Sequence, residues 1–122
     1  MKRMSFALTT EQIKNQTKTV TRRLGWNNLQ PGDLIQPIVK GMGLKKGEKQ
    51  ELIGSPIKVK SISVQKLYQI SFEDVRHEGF PQMSQEGFIE MFCKANKCDR
   101  NTRVNRIEFE FTSPITQIND NL

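Results

Sequence analysis

Histidine is almost missing from this chain: His77 stands alone among 122 residues, and cysteine occurs only as Cys93 and Cys98 in "FCKANKC". Zinc sites draw on two cysteine pairs, or on one pair with two histidines, so a dedicated metal site is not expected. The lone histidine also denies the chain the two-histidine acid–base pair that a ribonuclease can use. Cys93 falls in an apolar helical pattern as a small core residue and Cys98 lies near the helix end, which leaves a disulfide between them open. No apolar run approaches the roughly 18 residues that a membrane span needs. The start, "MKRMSFALTT", has neither a sustained apolar stretch nor a small-residue cleavage site, which points away from a secretory signal and toward the cytoplasm.

Acid is scarce in the first half. Residues 1–70 carry 13 Lys/Arg against 4 Asp/Glu and residues 71–122 carry 6 against 9, so the formal charge of +6 sits on one part of the chain. Such an excess attracts polyanions and favours a nucleic acid or nucleotide partner, although many basic proteins bind none. The length suits one domain with one core and one site.

Local signals divide the chain into short elements. In "TTEQ", Thr9 with Gln12 reads as a capping box opening a short helix. Thr17 to Thr21 is rich in β-branched residues and suits a strand, which puts Lys18 at a helix-to-strand junction. "QPGD", residues 30–33, is a turn feeding the strand "DLIQPIV", whose Pro37 predicts an edge or a bulge. The stretch from Gly41 to Gly54 reads as a mobile basic loop carrying Lys45, Lys46 and Lys49, without the spacing of a P-loop. Ile57 and Val59 are out of phase with Ile62 and Val64, which predicts a β-bulge within one long strand. Ser71 caps a helix ending near Gly79, and Ser84 caps another whose Phe88, Met91 and Phe92 form a core-facing stripe. "RIEFEF" alternates Ile107, Phe109 and Phe111 inward, and residues 113–122 read as a tail. Mostly strands with three short helices make a small mixed β-barrel.

Three stretches invite chemistry. "NQTKTVTRR", residues 15–23, sets an amine, a hydroxyl and guanidinium groups close together with no acid among them. A desolvated lysine beside two arginines is disfavoured as an ammonium and suits a general base. In a regular strand Lys18 and Thr21 project to opposite faces, so they share a pocket only if Lys18 lies off the strand. "RHEGF" places Glu78 at a helix C-terminus, unfavourable for a carboxylate unless Lys18 or Arg23 answers it. Trp26, followed by Asn27 and Asn28, either stacks on a base or closes the barrel.

"KTVTRR" followed by Trp26 and the "PGD" turn, then "FEDVRHEGF" and "VNRIEFEF", resemble the ASCH domain, a relative of the PUA RNA-binding fold. The similarity runs from about Phe6 to Phe111 and is greatest to small stand-alone versions from bacteria and phages. It implies an α+β fold, a small PUA-like mixed β-barrel with short flanking helices, spanning residues 1–112 as a single domain. Where the family has Gly two residues before the lysine, this chain has Gln16, and its segment between Gly41 and Gly54 is longer than in the deacetylating branch.

The resemblance implies a basic cleft that binds a nucleoside, a nucleotide or RNA. One branch of the family is an amidohydrolase acting on N(4)-acetylcytidine, and if the cleft is catalytic the resemblance carries that branch's catalytic residues onto Lys18, Thr21 and Glu78. Lys18 is then the base that activates Thr21 or a water, and Glu78 the proton carrier to the leaving amine. The substrate-binding set becomes Arg23, Arg22, Trp26 and Thr19, with Lys45, Lys46 and Lys49 on nucleic acid. No metal or cofactor is implied, and the protein would be a cytoplasmic monomer or weak dimer, in the host cytoplasm if phage-encoded. The alternatives are a non-catalytic RNA-binding or regulatory module, a ribonuclease, or a phage-encoded inhibitor of a host protein.

Overall fold

A computed structural model describes residues 1–115. Among these residues five strands, β1 (Lys2–Ser5), β2 (Val20–Arg23), β3 (Leu34–Ile38), β4 (Ile57–Lys66) and β5 (Arg103–Phe111), form one sheet in the order β1-β3-β4-β5-β2. β1 and β3 are parallel and the other pairs antiparallel. Three α-helices among the described residues accompany the sheet: α1 (Thr10–Lys14), α2 (Phe72–His77) and α3 (Gln85–Asn96). The class is α+β, as expected, but the expected barrel is not closed. β1 and β2 are only four residues each, and the chain between them folds as a 3-10 turn (Ala7–Thr9) and α1, leaving them at opposite edges of an open sheet.

Most local signals act where they stand in the sequence. Ser71 Oγ accepts the Asp74 N–H at 3.0 Å and Ser84 Oγ the Gly87 N–H at 2.9 Å, capping α2 and α3. The register of β4 against β5 shifts between Val59 and Ser61, the bulge predicted from the change of phase. Ile57 and Val59 are buried before it, whereas Val64 beyond it is exposed. Pro37 lies inside the sheet order rather than on an edge strand, but past Ile35, the last β3 residue paired with β4, where a missing N–H costs little. The Thr9–Gln12 capping box is absent. Thr9 is buried at the end of the 3-10 turn without capping α1, and Gln12 Nε2 instead donates to the Gly79 carbonyl at 3.2 Å.

The interior has two parts. Met4, Phe6, Ile13, Ile35, Ile57, Val59, Ile107 and Phe109 belong to the first, and Leu67, Ile70, Val75, Phe88, Ile89, Phe92 and Val104 make the second. β5 supplies both, so it ties α3 to the rest of the sheet. Gln16 leaves α1 with φ 58, the left-handed value that glycine adopts freely, and its Nε2 donates to the Ser113 carbonyl at 2.7 Å. Beyond residue 115 the expected tail lies outside the described residues. No helix among the described residues is long and apolar enough to cross a membrane.

Candidate functional site

Lys18 is set by backbone bonds on both sides. The N–H groups of Thr17 and Lys18 both donate to the carbonyl of Gln12, the middle residue of α1, at 2.9 and 3.2 Å. Thr19 N–H then donates to His77 O at 2.8 Å, and Thr19 O accepts from Phe109 N–H at 3.0 Å, pinning the segment between α2 and β5. β2 begins only at Val20, so Lys18 is free of strand alternation and lines the same cleft as Thr21. Thr19 serves through its backbone and does not line that cleft.

α2 delivers Glu78. Gly79, at φ +105, takes the left-handed turn that ends the helix, and Glu78 just before it points its carboxylate inward, 2% exposed. Lys18 Nζ donates to Glu78 Oε1 at 2.8 Å and to the Glu78 backbone carbonyl at 2.7 Å. Arg22 Nη1 donates to Glu78 Oε2 at 3.1 Å. Two cations thus answer a carboxylate that the helix C-terminus alone would disfavour.

The network continues away from the cleft. Arg22 Nη2 donates to Asp74 Oδ2 at 2.7 Å and to Gln65 Oε1 at 2.8 Å, and Arg106 binds Asp74 through Nε at 2.6 Å and Nη2 at 3.0 Å. Asp74 and Glu78 are one helical turn apart, which puts both acids on the side of α2 that meets β2. Neither Asp74 nor Arg106 is among the candidate site residues that the sequence offered. The four-residue spacing of the acids was the available signal.

Lys18 answers Glu78 as expected, and Arg22 rather than Arg23 joins it. Arg22, with its side chain 1% exposed, lines the cleft and pairs with two internal acids. Arg23 makes no ion pair with Glu78; its Nε donates to Thr21 Oγ1 at 3.0 Å and its guanidinium lies 4.7 Å from the Phe6 ring centre. Alternation along β2 explains this, because Arg22 projects toward α2 while Thr21 and Arg23 share the other direction.

Burial pushes the Lys18 amine below its ordinary value; Glu78 opposes this, and Arg23 and Arg22 add to the lowering. Burial likewise lowers Arg23 to about 10, so it stays charged near neutrality. Burial alone would raise the Asp74 carboxyl, but hydrogen bonds from Arg106 and Arg22 outweigh it and hold Asp74 well below the usual carboxylate range.

Lys18, Thr21, Arg22, Arg23 and Glu78 line a cleft of about 440 Å3, a size usual for small-molecule sites. Phe80, Phe88, Met91 and Phe92 form an apolar wall opposite the charges, so the stripe read as core serves both the interior and the cleft. Met42 contributes to the lining from the Gly41–Gly54 segment, while Lys45, Lys46 and Lys49 of that segment are exposed and lie outside the lining. Trp26 does not reach the cleft; it packs against the first core cluster. Among the described residues no group of three or more His, Cys, Asp or Glu is arranged to hold a metal.

No family model matches the sequence, and no curated protein matches it. Solved structures do match over most of its length. An ASCH domain from Lactobacillus crispatus superposes with a TM-score of 0.58 at 17% identity, over 89% of this chain and 77% of that one. The fold is ASCH-like. Hypothetical protein PH0355 superposes with a TM-score of 0.62 at 23% identity, over 90% of this chain and 98% of that one. Protein EF3133 from Enterococcus faecalis, of the DUF984 family, gives 0.61 at 10% identity, over 95% and 78%. In the ASCH-like frame of this chain, the cleft opens between the start of β2, the end of α2 and one face of α3.

Proposed function

We propose that the cleft is the active site of an amidohydrolase that removes the acetyl group from N(4)-acetylcytidine. The observation that carries this reading is the convergence of Lys18, Thr21 and Glu78 on one partly apolar cleft, with Lys18 Nζ 2.8 Å from Glu78 Oε1. A neutral amine has two N–H groups and one lone pair. Glu78 can accept both N–H groups, through its carbonyl and its carboxylate, which leaves the lone pair to take a proton.

Lys18 then removes the Thr21 hydroxyl proton as Oγ1 attacks the acetyl carbonyl. The proton passes from Lys18 through Glu78 Oε1 to the exocyclic nitrogen, the C–N bond breaks, and cytidine leaves. Water attacks the acetyl-threonine ester, Lys18 again taking the proton, and acetate is released with Thr21 restored. Arg23 orients Thr21 through its Nε and holds the substrate with its remaining donors. The wall of Phe80, Phe88 and Phe92 packs the planar base.

Incubation with N(4)-acetylcytidine is expected to release cytidine and acetate, and the Glu78→Gln variant is expected to bind the nucleoside without releasing either. Failure of the unaltered protein to produce cytidine rules the reading out. A second reading, RNA binding without turnover, is favoured by the exposed Lys45, Lys46 and Lys49 on the segment whose Met42 lines the cleft. Its mark is an affinity for short RNA that falls steeply with salt while acetylated cytidine remains intact.

A further inference from the structure

Helices α2 and α3 each end in a left-handed turn closed by a six-to-one bond. After α2 the left-handed residue is Gly79, whose N–H bonds Arg76 O at 2.9 Å, and the next N–H, of Phe80, reaches back to Val75 O at 3.1 Å. A six-to-one bond of this kind brings the side chains of its first and last residues together. Val75 and Phe80 accordingly pack in the second core cluster. After α3 the left-handed residue is Lys97, at φ 51 and ψ 52, and the six-to-one bond runs from Cys98 N–H to Cys93 O at 3.2 Å.

The pair that this second turn brings together is two thiols. Both lean on the second core cluster, both are half-buried rather than sealed, and both are free. Burial, and then a hydrogen bond with the Cys98 thiol, push the Cys93 thiol up. Nothing in the proposed hydrolysis uses either sulfur.

We propose that Cys93 and Cys98 are a thiol modification site that reacts with a small disulfide of the glutathione class and closes into an intramolecular bond across the end of α3. Burial disfavours the Cys93 thiolate, so the first attack is assigned to Cys98. The Cys98 thiolate attacks one sulfur of the external disulfide, whose S–S bond breaks and releases one thiol. Cys93, giving its proton to solvent, attacks the Cys98 sulfur and expels the second thiol. The two protein thiols are oxidised by two electrons, and one external disulfide is reduced to two thiols. Exposed Lys94 and Lys97 beside the pair suit a reagent that bears carboxylates.

The closed segment contains Ala95 and Asn96, which line the cleft, so the bond fastens one part of the cleft wall. The site stands or falls independently of the hydrolase reading. The test is to incubate the full chain with oxidised glutathione, block remaining thiols with a maleimide, weigh the intact protein and digest it with trypsin. The expected product has lost both maleimide-reactive thiols, carries no glutathione, and yields the peptide ending at Lys94 joined to the one beginning at Cys98. Cys93→Ser and Cys98→Ser are each expected to stop at one stable glutathione adduct. Persistent adducts on the unaltered protein, or two thiols still open to maleimide, overturn the site. Slower amide exchange over residues 93–98 after oxidation is expected, and unchanged exchange overturns the fastening of α3.

Discussion

The Nζ of Lys18 lies 2.7 Å from the backbone carbonyl of Glu78 and 2.8 Å from its carboxylate, so a single amine meets both the end of α2 and the acid carried there. Arg22 holds the other carboxylate oxygen at 3.1 Å. Glu78 is therefore buried with both oxygens engaged, and a change at Lys18 is felt at the helix end as well as in the cleft. Removing one partner of a buried pair typically costs about 3–5 kcal/mol, but here Arg22 remains to answer Glu78.

Lys18→Arg separates charge from proton transfer. A guanidinium keeps a cation beside Glu78 but does not lose its proton near neutrality. Turnover of N(4)-acetylcytidine is expected to fall about 10²–10⁴-fold. In the unaltered protein, kcat/KM should rise with pH through a midpoint below the ordinary lysine value of 10.5, because burial lowers Lys18. A rate independent of pH across that range, or full activity in Lys18→Arg, would remove the lysine from the chemistry.

Thr21→Val removes the hydroxyl and keeps the branched shape at a position that is 3% exposed. The lost hydrogen bond from Arg23 should cost about 1 kcal/mol in a urea titration, too little to unfold the domain. Turnover is expected to drop to background, whereas Thr21→Ser keeps it. An active Thr21→Val enzyme would transfer the nucleophile's role to water.

Asp74 makes stability depend on acid. Its folded carboxyl is held well below the ordinary carboxylate value of 3.8, so the stabilisation it contributes is complete above about pH 4 and is lost as pH falls toward the folded value. The thermal midpoint of the unaltered protein should decline on acidification below about pH 4. Asp74→Asn should be less stable at neutral pH and should decline less over the same acid range. Parallel pH curves for the two proteins would show that the Arg22–Asp74–Arg106 cluster contributes nothing to the acid response.

Gly79→Ala tests the turn that aims Glu78. At φ +105 an alanine is strained, and its Cβ would stand 2.9 Å from Gln12 Cγ. The expected loss is at least about 1 kcal/mol in denaturant titration. Activity should fall as well, because the displaced turn carries Glu78 away from Lys18. A variant as stable and active as the parent would mean that neither the turn nor the Gln12 contact fixes the acid.

Signals carried by neighbours in sequence were readable without the fold. Ser71 and Ser84 cap their helices because a cap needs only an N–H three residues on. The β4 bulge was legible because a change of phase between Val59 and Ile62 needs one extra residue. Lys18 at the junction followed from where helix signals stop and β-branched residues begin. The Thr9–Gln12 box had the right spacing but was overridden, because Thr9 is buried in a 3-10 turn and Gln12 is drawn to Gly79, 67 residues away.

Sequence by itself thus determined the helix caps, the bulge, the left-handed turn at Gly79 and the basic excess of the first half, all properties of short stretches or of composition. Only tertiary structure decided that the sheet stays open, that Trp26 packs against the core, and that Arg22 rather than Arg23 faces Glu78. The reason is physical. A carboxylate at a helix end needs a cation, but which one it finds depends on how α2 lies across β2, a contact 56 residues apart in the chain that no local rule specifies.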